Sequence, residues 1–513
     1  MLTIDNLTLT HRKDLAVLVD SLSLAVGDGE RLALIGEEGN GKSTLLRVLA
    51  GDVSVNDYIE VTGSFSCRGR AGYLPQELLA DEREKSAYDF FCASPVFFDQ
   101  SPKDLGQLAA RLALPADVFY SPQRMADFSG GERVKLQLAR LLMASPEVLL
   151  LDEPTNDLDG DSVRWLEDFL LTCKLTVLFV SHDEALLSRA ATSVLLLERL
   201  RRRQAPRATL YAMGYDRFYE ERIAAFDKQT QIARKEREDF QAKMARYEAI
   251  RRKVEHDQNA VSRNDPHGGR LLKKKMHAVQ AMGRRFEREQ DSLTALPEQE
   301  EAIFAKLDCT PLPAAKTVLD LACPALSIDG QTLCQDIRLT VRADEKLCIC
   351  GKNGVGKSTL LRFIRDTLEK RADLRVFYMP QDPGELLDLR LSPVELLAPS
   401  GEKDALSRAG LLLGSMKFTA DEMRHPCAGL SGGQKAKLMF LMMAESRADV
   451  LLLDEPTRNL SPLSGPVVRK LFADYPGCII AVSHDRRFAE TVCTRAVRLA
   501  REGVREAPVS DIL

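Results

Sequence analysis

The chain has 513 residues, 45% of them hydrophobic, and a formal net charge of −4, which suits two or three globular domains and shows no overall basic character. No apolar run reaches about 18 residues, and the N-terminus lacks the basic and apolar regions of a signal peptide, so we expect neither a membrane span nor export. The eleven cysteines contain no CxxC pair, which favours core thiols over a metal site and a reducing, cytoplasmic location.

The first part of the chain alternates predicted strands and helices around a glycine-rich loop. An apolar strand, Arg31–Ile35, leads into GEEGNGKST from Gly36, and a helix is predicted from Lys42. Buried strands follow at Val148–Leu151 and Thr176–Val180. Strands that alternate with helices predict an α/β fold with a mainly parallel sheet.

The middle of the chain predicts two long helices. Asp216–Asp257 contains neither proline nor glycine, enough for one helix of about 60 Å. A second helix is predicted from about Leu271 to Leu296, and Pro266, Gly268 and Gly269 predict a turn before it. The segment is therefore expected to be a helical hairpin.

The last part repeats the elements of the first. Lys346–Cys350 leads into GKNGVGKST from Gly351, a helix is predicted from Lys357, and strands follow at Val450–Leu453 and Cys478–Val482. Three more motifs recur 302 residues apart: SGG from Ser129 and Ser431, LLLDE with Asp152 and Asp454, and SHD with His182 and His484. Such a repeat predicts two copies of one domain.

The two glycine-rich loops predict nucleotide binding. A G-x-x-x-x-G-K-S/T sequence between a strand and a helix turns backbone N–H groups toward phosphates at a helix N-terminus. We expect the loop lysines to reach the β- and γ-phosphates and the loop serines to bind Mg²⁺. The candidate residues are Gly36, Gly39, Gly41, Lys42, Ser43 and Thr44 in the first copy and Gly351, Gly354, Gly356, Lys357, Ser358 and Thr359 in the second.

Each copy also places carboxylates and a histidine at strand ends. Asp152 and Asp454 end apolar runs, at the sheet edge where ligands sit, and are expected to hold Mg²⁺ through water. The following residues, Glu153 and Glu455, are the candidate catalytic groups that polarise the attacking water. The histidine of each SHD lies 30 residues after the aspartate, and this matched placement favours a γ-phosphate contact over a structural role.

With a glutamine in each copy, Gln76 and Gln381, these motifs resemble those of the ATP-binding cassette ATPases. The resemblance implies two P-loop cassette domains, ATP and Mg²⁺ as cofactors, and a metal contact for the glutamines. It also implies head-to-tail pairing, in which the loop of one copy faces the SGG of the other and ATP holds the closed form together. The signature residues that would bind nucleotide are Ser129, Gly130, Gly131, Ser431, Gly432 and Gly433.

Two departures from this family pattern affect the expected sites. The first copy reads PTNDLDG after LLLDE, close to the usual sequence, whereas the second reads PTRNLSP, with Arg458, Asn459 and Ser461 in place of the expected residues. Because that loop crosses to the opposite site in the family, the two sites are expected to be unequal. The aromatic residue that stacks on adenine is replaced by His11 in the first copy and has no counterpart in the second, which leaves the choice between ATP and GTP open.

The hairpin segment is basic although the chain is acidic. Residues 243–288 hold thirteen Lys/Arg and five Asp/Glu, a net of +8. This excess fits contact with a nucleic-acid backbone, and the alternative is an exposed charged hairpin without a specific partner. The candidate RNA contacts are Arg251, Arg252, Lys253, Arg263, Arg270, Lys273, Lys274 and Lys275.

A tandem cassette with such a linker resembles the ABC-F proteins, and HGGRLLKKKM (His267–Met276) is similar to the linker of bacterial members. The helix-forming segment between Tyr215 and about Leu307 divides the chain into expected domains at 1–214, 215–307 and 308–513. The resemblance implies a monomer whose own cassettes pair. It also implies ribosome binding, with the linker near ribosomal RNA, the P-site tRNA and the peptidyl-transferase centre.

Two functions fit this resemblance. The first is ribosome protection against antibiotics, toward which the interpretation leans, and the second is a housekeeping translation regulator. A transporter ATPase subunit is disfavoured because transport cassettes seldom separate their lobes by a basic hairpin. A DNA-repair or chromosome ATPase is disfavoured because its coiled coil or zinc-binding cysteines lie inside one cassette.

Overall fold

The computed structural model describes residues 1–156, 158–199, 205–260, 266–291, 294, 307–328, 330–458 and 460–508. They form two compact units, one of Met1–Tyr215 with Glu300–Leu513 and the other of Asp216–Gln299. The first unit contains both copies of the repeat, here called lobe one (within Met1–Tyr215) and lobe two (within Glu300–Leu513). The second unit is called the hairpin.

Each lobe contains a six-stranded sheet that is parallel except for its last strand. Lobe one has the order Ala71–Leu74, Val148–Asp152, Thr176–Val180, Arg31–Ile35, Ser193–Arg199, Ala205–Tyr211. Lobe two has the order Val376–Met379, Val450–Asp454, Cys478–Val482, Lys346–Cys350, Arg495–Ala500, Gly503–Ala507. The central strands are buried along their whole length because helices cover them. The predicted α/β fold is confirmed.

A smaller antiparallel sheet packs beside each main sheet. In lobe one it has the order Val17–Val26, Leu2–His11, Ile59–Cys67. In lobe two it consists of Thr317–Ile328 and Gln331–Arg342. The apolar face of each small sheet joins the phosphate-loop helix in one core, with Leu45 in lobe one and Leu360 in lobe two fully buried. This packing fixes the start of the helix at the edge of the main sheet.

The helices of the first unit alternate with the strands. The α-helices of lobe one are Lys42–Leu49, Ala80–Arg83, Ala87–Cys92, Pro102–Arg111, Gly130–Met143, Gly160–Thr172 and Glu184–Ala190. Those of lobe two are Lys357–Leu368, Pro393–Leu397, Lys403–Ser415, Gly432–Ser446, Gly465–Ala473 and Arg486–Val492. No helix in the described ranges combines the length and apolarity that crossing a membrane requires.

The hairpin consists of two helices, Tyr215–Ala260 and Pro266–Asp291. They contact each other through Tyr247 and Phe286, whose ring centroids are 5.5 Å apart, and through the ion pair of Lys243 with Glu289. A Cβ on Gly283 would lie 2.6 Å from the Tyr247 hydroxyl, so this glycine permits the close approach of the two helices.

The predicted turn before the second helix is wrong. Pro266, Gly268 and Gly269 form the first turn of the helix, which begins at Pro266 and not near Leu271. Proline is favoured at the first helical position because its missing N–H has no helical partner there, and this preference outweighs the low helix propensity of the two glycines. Arg263 and the predicted helix end, Leu296, lie outside the described residues.

Candidate nucleotide sites between the lobes

The two phosphate loops have the same geometry. Gly41 and Gly356 precede the loop helices with φ of 86° and 100°, a left-handed conformation that glycine adopts without strain. Lys42 Nζ donates to the carbonyl oxygens of Gly36 and Glu37 at 2.6 and 2.9 Å. Lys357 makes the equivalent bonds at 2.9 and 3.0 Å. Each lysine is thus buried over its own loop, with its charge at the helix start.

The aspartates after the central strands differ between the lobes. Asp152 accepts from Ser43 Oγ at 2.9 Å and from the Tyr73 hydroxyl at 3.1 Å. Asp454 is 1% exposed, and neither of its carboxylate oxygens has a hydrogen-bond partner in the described part of the chain. Burial raises the pKa of both carboxyls. The Ser358 hydroxyl opposes this shift at Asp454 but lies outside hydrogen-bonding geometry.

An unpartnered buried carboxylate beside a serine hydroxyl fits a divalent cation, because oxygen ligands are what Mg²⁺ prefers and a cation would neutralise the charge. The described residues contain no group of three or more His, Cys, Asp or Glu that could hold a metal by themselves. The arrangement therefore suits an ion whose remaining ligands come from phosphate oxygens and water.

The glutamates that follow these aspartates have a strained backbone. Glu153 and Glu455 have φ of 49° and 51°, which costs a residue with a Cβ about 1–3 kcal/mol. In both lobes the N–H of the SHD histidine donates to the glutamate at 3.2 Å. The same conformation in both copies aims a carboxylate at the phosphate loop of its lobe.

In lobe one the glutamate and the histidine form a close ion pair. His182 Nε2 lies 2.9 Å from Glu153, and His182 Nδ1 lies 2.6 Å from the carbonyl oxygen of Leu460, a residue of lobe two. Burial raises the pKa of Glu153, but the charge and hydrogen bonds of His182 lower it by more. The pKa of Glu153 therefore lies below its ordinary value. Burial lowers the pKa of His182, but the charge of Glu153 outweighs this and the pKa is raised. Each residue thus favours the charged form of the other.

The equivalent residues of lobe two are farther apart. His484 Nε2 lies 3.7 Å from Glu455, and within the described residues His484 Nδ1 is buried without a hydrogen-bond partner. Burial raises the pKa of Glu455 to about 7. Burial and the charge of Lys357 lower the pKa of His484 to about 4. The same residue types thus have different protonation properties in the two lobes.

The lobes face each other across these residues, and one interface site is open. A cavity of about 710 Å³ lies between the phosphate loop of lobe two and the SGG of lobe one. Its lining includes Ser129 and Gly130 from lobe one and Lys357, Ser358, Thr359, Gln381, Asp454, Glu455 and His484 from lobe two. The structure thereby brings together residues that lie more than 220 positions apart in the sequence.

At the other site the loop and the signature touch directly. The Gly433 N–H donates to Glu38 Oε2 at 2.8 Å, and Lys437 Nζ donates to Glu37 Oε1 at 2.8 Å. Glu37 and Lys437 are 8% and 6% exposed. Two acidic residues of the first phosphate loop thus bind directly to the signature helix of lobe two.

Both signatures start a helix in the same way. Ser129 and Ser431 are N-caps, and each forms a reciprocal capping box with the residue three positions on, Glu132 or Gln434. The helix N-terminus carries partial positive charge and N–H groups that suit an anion. Gly131 packs so closely that a Cβ there would lie 2.1 Å from Ser162 Oγ.

Some functional residues were not predicted from the sequence. Gln76 is exposed at the end of Ala71–Leu74, whereas Tyr73, three residues before it, binds the candidate metal ligand Asp152. Tyr378 stands at the same spacing before Gln381, so the repeated Y-x-P-Q pattern was a signal for both tyrosines. The roles of Glu37, Glu38 and Lys437 depend on contacts across the interface and had no such signal. His11 pairs with Asp14 at 2.8 Å.

In a comparison with known protein families, residues 19–156 and 334–458 of the chain each match the ABC transporter family. The chain is 30% identical to the tylosin resistance ATP-binding protein TlrC of Streptomyces fradiae, over 96% of each chain. It is 28% identical to human ATP-binding cassette sub-family F member 3, over 93% of this chain and 68% of that protein. The chain belongs to the ABC-F family of ATP-binding cassette proteins.

A solved structure also resembles this ABC-F protein over nearly its whole length. The archaeal ribosome recycling factor aABCE1, in complex with the stalk protein aP1, covers 98% of this chain and 90% of its own, with a TM-score of 0.57 and 16% identity. At this identity the likeness concerns the fold, two cassettes in one chain. The predicted family is confirmed, and with it ATP binding and ATPase activity.

Proposed function

We propose that this ABC-F protein is a ribosome-binding factor whose lobes close on ATP and open after hydrolysis. The observation that carries the proposal is a run of three exposed lysines, Lys273–Lys275, in a hairpin that follows lobe one and precedes lobe two in the sequence. Within the described residues these lysines form no ion pair, whereas Arg251 and Arg252 pair with Glu255 and Glu248 of their own helix. Uncompensated exposed charge suits the phosphate backbone of RNA.

The catalytic proposal assigns the same roles in each lobe. The loop lysines, Lys42 and Lys357, would turn from their own carbonyls to the β- and γ-phosphates, and the SGG of the opposite lobe would donate N–H groups to the γ-phosphate. Mg²⁺, held by Ser43, Gln76 and Asp152 or by Ser358, Gln381 and Asp454, would neutralise phosphate charge. Glu153 and Glu455 would orient water and take its proton. The histidines would donate to the γ-phosphate.

Hydrolysis would then open the interface. The γ-phosphate is the group that both the loop of one lobe and the signature of the other would contact, so its loss would remove the bridge between them. The bound form would be the closed, ATP-loaded protein. The free form would follow hydrolysis at one or both sites.

The similarity to TlrC, a tylosin resistance protein, supports a role in antibiotic resistance. We propose that this role is ribosome protection, with the hairpin near the P-site tRNA and the peptidyl-transferase centre. A housekeeping role in translation remains the second candidate. Growth of cells with and without the protein on a panel of ribosome-targeting antibiotics that includes tylosin separates the two. Protection against one class of drug supports resistance, and a growth defect without any drug supports the housekeeping role.

The test of ribosome binding uses a variant that binds ATP without hydrolysing it. Glu153→Gln/Glu455→Gln should sediment with ribosomes in ATP and remain bound, because closed lobes cannot reopen. Lys42→Ala/Lys357→Ala is the control and should stay unbound, because it cannot hold the phosphates. A glutamine variant that leaves ribosomes as readily as wild type would contradict the proposed switch.

A further inference from the structure

Buried ion pairs join the two lobes away from the nucleotide sites. Arg469 of lobe two donates to both carboxylate oxygens of Glu184 of lobe one, at 2.6 and 2.9 Å. The two side chains are 7% and 6% exposed. Paired charges withdrawn from water to this degree interact strongly, and removal of one partner is costly because the other is left buried without compensation.

Three further ion pairs cross the interface with the same polarity. Arg486 lies 3.2 Å from Glu167, whose side chain is fully buried, and Arg487 lies 3.2 Å from Glu184. At the nucleotide site, Lys437 binds Glu37. In each of the four pairs lobe one supplies the acid and lobe two supplies the base.

The four residues of the Glu184–Arg469 and Glu167–Arg486 pairs lie at two positions of the repeat. The 302-residue separation that relates the motifs also relates Glu167 to Arg469 and Glu184 to Arg486. The helices that carry Glu184 and Arg486 correspond residue for residue, as Glu184–Ala190 and Arg486–Val492. At each of these two positions lobe one has an acidic residue and lobe two has a basic residue. Each ion pair joins one of the two positions in lobe one to the other position in lobe two.

The shape of the interface has the same asymmetry. A Cβ on Gly465 would lie 1.9 Å from Glu184 Oε1, so the approach of Glu184 to Arg469 requires a glycine at this position. The equivalent residue of lobe one, 302 positions earlier, is Val163. A second copy of lobe one in the place of lobe two would present a valine and a glutamate where Glu184 now meets a glycine and an arginine.

We propose that this charge reversal selects lobe two as the partner of lobe one and prevents pairing of like lobes. Two first lobes would bury Glu184 against Glu167 twice, and two second lobes would bury Arg486 against Arg469 twice. Like charges that are withdrawn from water repel each other far more strongly than screened surface charges do. The surface thus specifies its partner, which is the complementary lobe of the same chain.

The test copies the charges of one lobe onto the other in the full-length protein. Arg469→Glu/Arg486→Glu gives two acidic lobes, and Glu167→Arg/Glu184→Arg gives two basic lobes. Each double variant should lose ATP turnover by about tenfold or more, because its lobes repel each other. The fourfold variant, which combines all these changes, restores opposite charges and should recover turnover to within about threefold of wild type. Arg189 and Arg487, which also contact the exchanged glutamates, are partly exposed and can turn to solvent.

A mixture of the two double variants tests partner choice directly. The acidic chain and the basic chain should form a 1:1 complex with restored turnover, measured by light scattering and ATP hydrolysis, although each alone stays monomeric. The matched control, Arg408→Glu/Glu445→Arg, exchanges an exposed pair within lobe two and should change neither quantity.

The outcome does not depend on whether a double variant folds. The fourfold variant contains every substitution, so recovery there shows that the loss came from charge and not from the residues themselves. A fourfold variant as inactive as the doubles would overturn the proposal, and so would doubles with wild-type turnover. Association of the acidic variant with itself would also overturn it.

Discussion

Glu153 and Glu455 share a strained backbone but have different surroundings. Glu153 has a pKa below its ordinary value because it pairs with His182, which also binds the carbonyl oxygen of Leu460 of the opposite lobe. Glu455 has a pKa of about 7 and lies farther from a histidine that stays neutral. A carboxylate that is not committed to an ion pair, with a pKa near the working pH, is the better base for water. The site of lobe two should therefore turn over ATP faster.

The two single glutamine variants test this difference. Glu455→Gln should lower ATP turnover about tenfold, whereas Glu153→Gln should lower it by only about a tenth, because the site of lobe two supplies most of the activity. Steady-state phosphate release under saturating ATP measures both. Equal losses would mean that the two sites are equivalent or obligatorily coupled.

The two phosphate loops also differ at the position of Glu38. Its carboxylate accepts the Gly433 N–H, one of the groups proposed to bind the γ-phosphate, and Asn353 stands at the same place in the second loop. Glu38→Asn removes a negative charge that competes with the phosphate, and ATP should bind the site of lobe one about tenfold more tightly. Titration with a fluorescent ATP analogue in the Lys357→Ala background reports this site alone. The reciprocal variant, Asn353→Glu, should weaken ATP binding at the site of lobe two. Unchanged ATP affinity in both the Glu38→Asn and the Asn353→Glu variants would contradict this expectation.

Among the elements, the contact between the two hairpin helices depends on Gly283. A Cβ at this position would meet the Tyr247 hydroxyl at 2.6 Å, although alanine itself favours a helix by about 1 kcal/mol over glycine. Gly283→Ala should therefore loosen the hairpin in the wild-type background and tighten it in a Tyr247→Phe background. Amide hydrogen exchange of both helices gives the measurement. The same sign of effect in both backgrounds would show that the hydroxyl does not limit the approach.

The elements that could be predicted from sequence are those whose pattern is local. The strands Arg31–Ile35 and Lys346–Cys350 have their predicted bounds because a buried strand reads as a short apolar run. The start of the second hairpin helix could not be judged, since Pro266 fits both a turn and a first helical position. Contacts such as Glu38 with Gly433 join residues 395 positions apart, and no local pattern encodes them.

At the scale of the whole molecule, two copies of one domain have diverged in complementary ways. The loop after LLLDE departs from the family pattern in lobe two, and its Leu460 carbonyl binds His182 of lobe one. The prediction that this loop reaches the opposite site came from resemblance alone, whereas the charge reversal at Glu167 and Arg469 becomes visible only when the interface pairs are compared with the repeat. Divergence of the copies thus underlies both the proposed inequality of the two sites and the proposed choice of partner.

The exposed lysines of the hairpin test which partner the whole molecule binds. Lys273→Glu/Lys274→Glu/Lys275→Glu should weaken ribosome association and reduce its dependence on salt, because each lost phosphate contact lowers the slope of log affinity against log salt by about one. Sedimentation with ribosomes at a series of potassium chloride concentrations measures that slope. The matched control, Lys103→Glu/Lys370→Glu/Lys403→Glu, makes the same change of net charge at exposed positions of the two lobes. If both triple variants weaken binding equally, overall charge and not the hairpin determines association. If neither does, the hairpin lysines do not contact RNA.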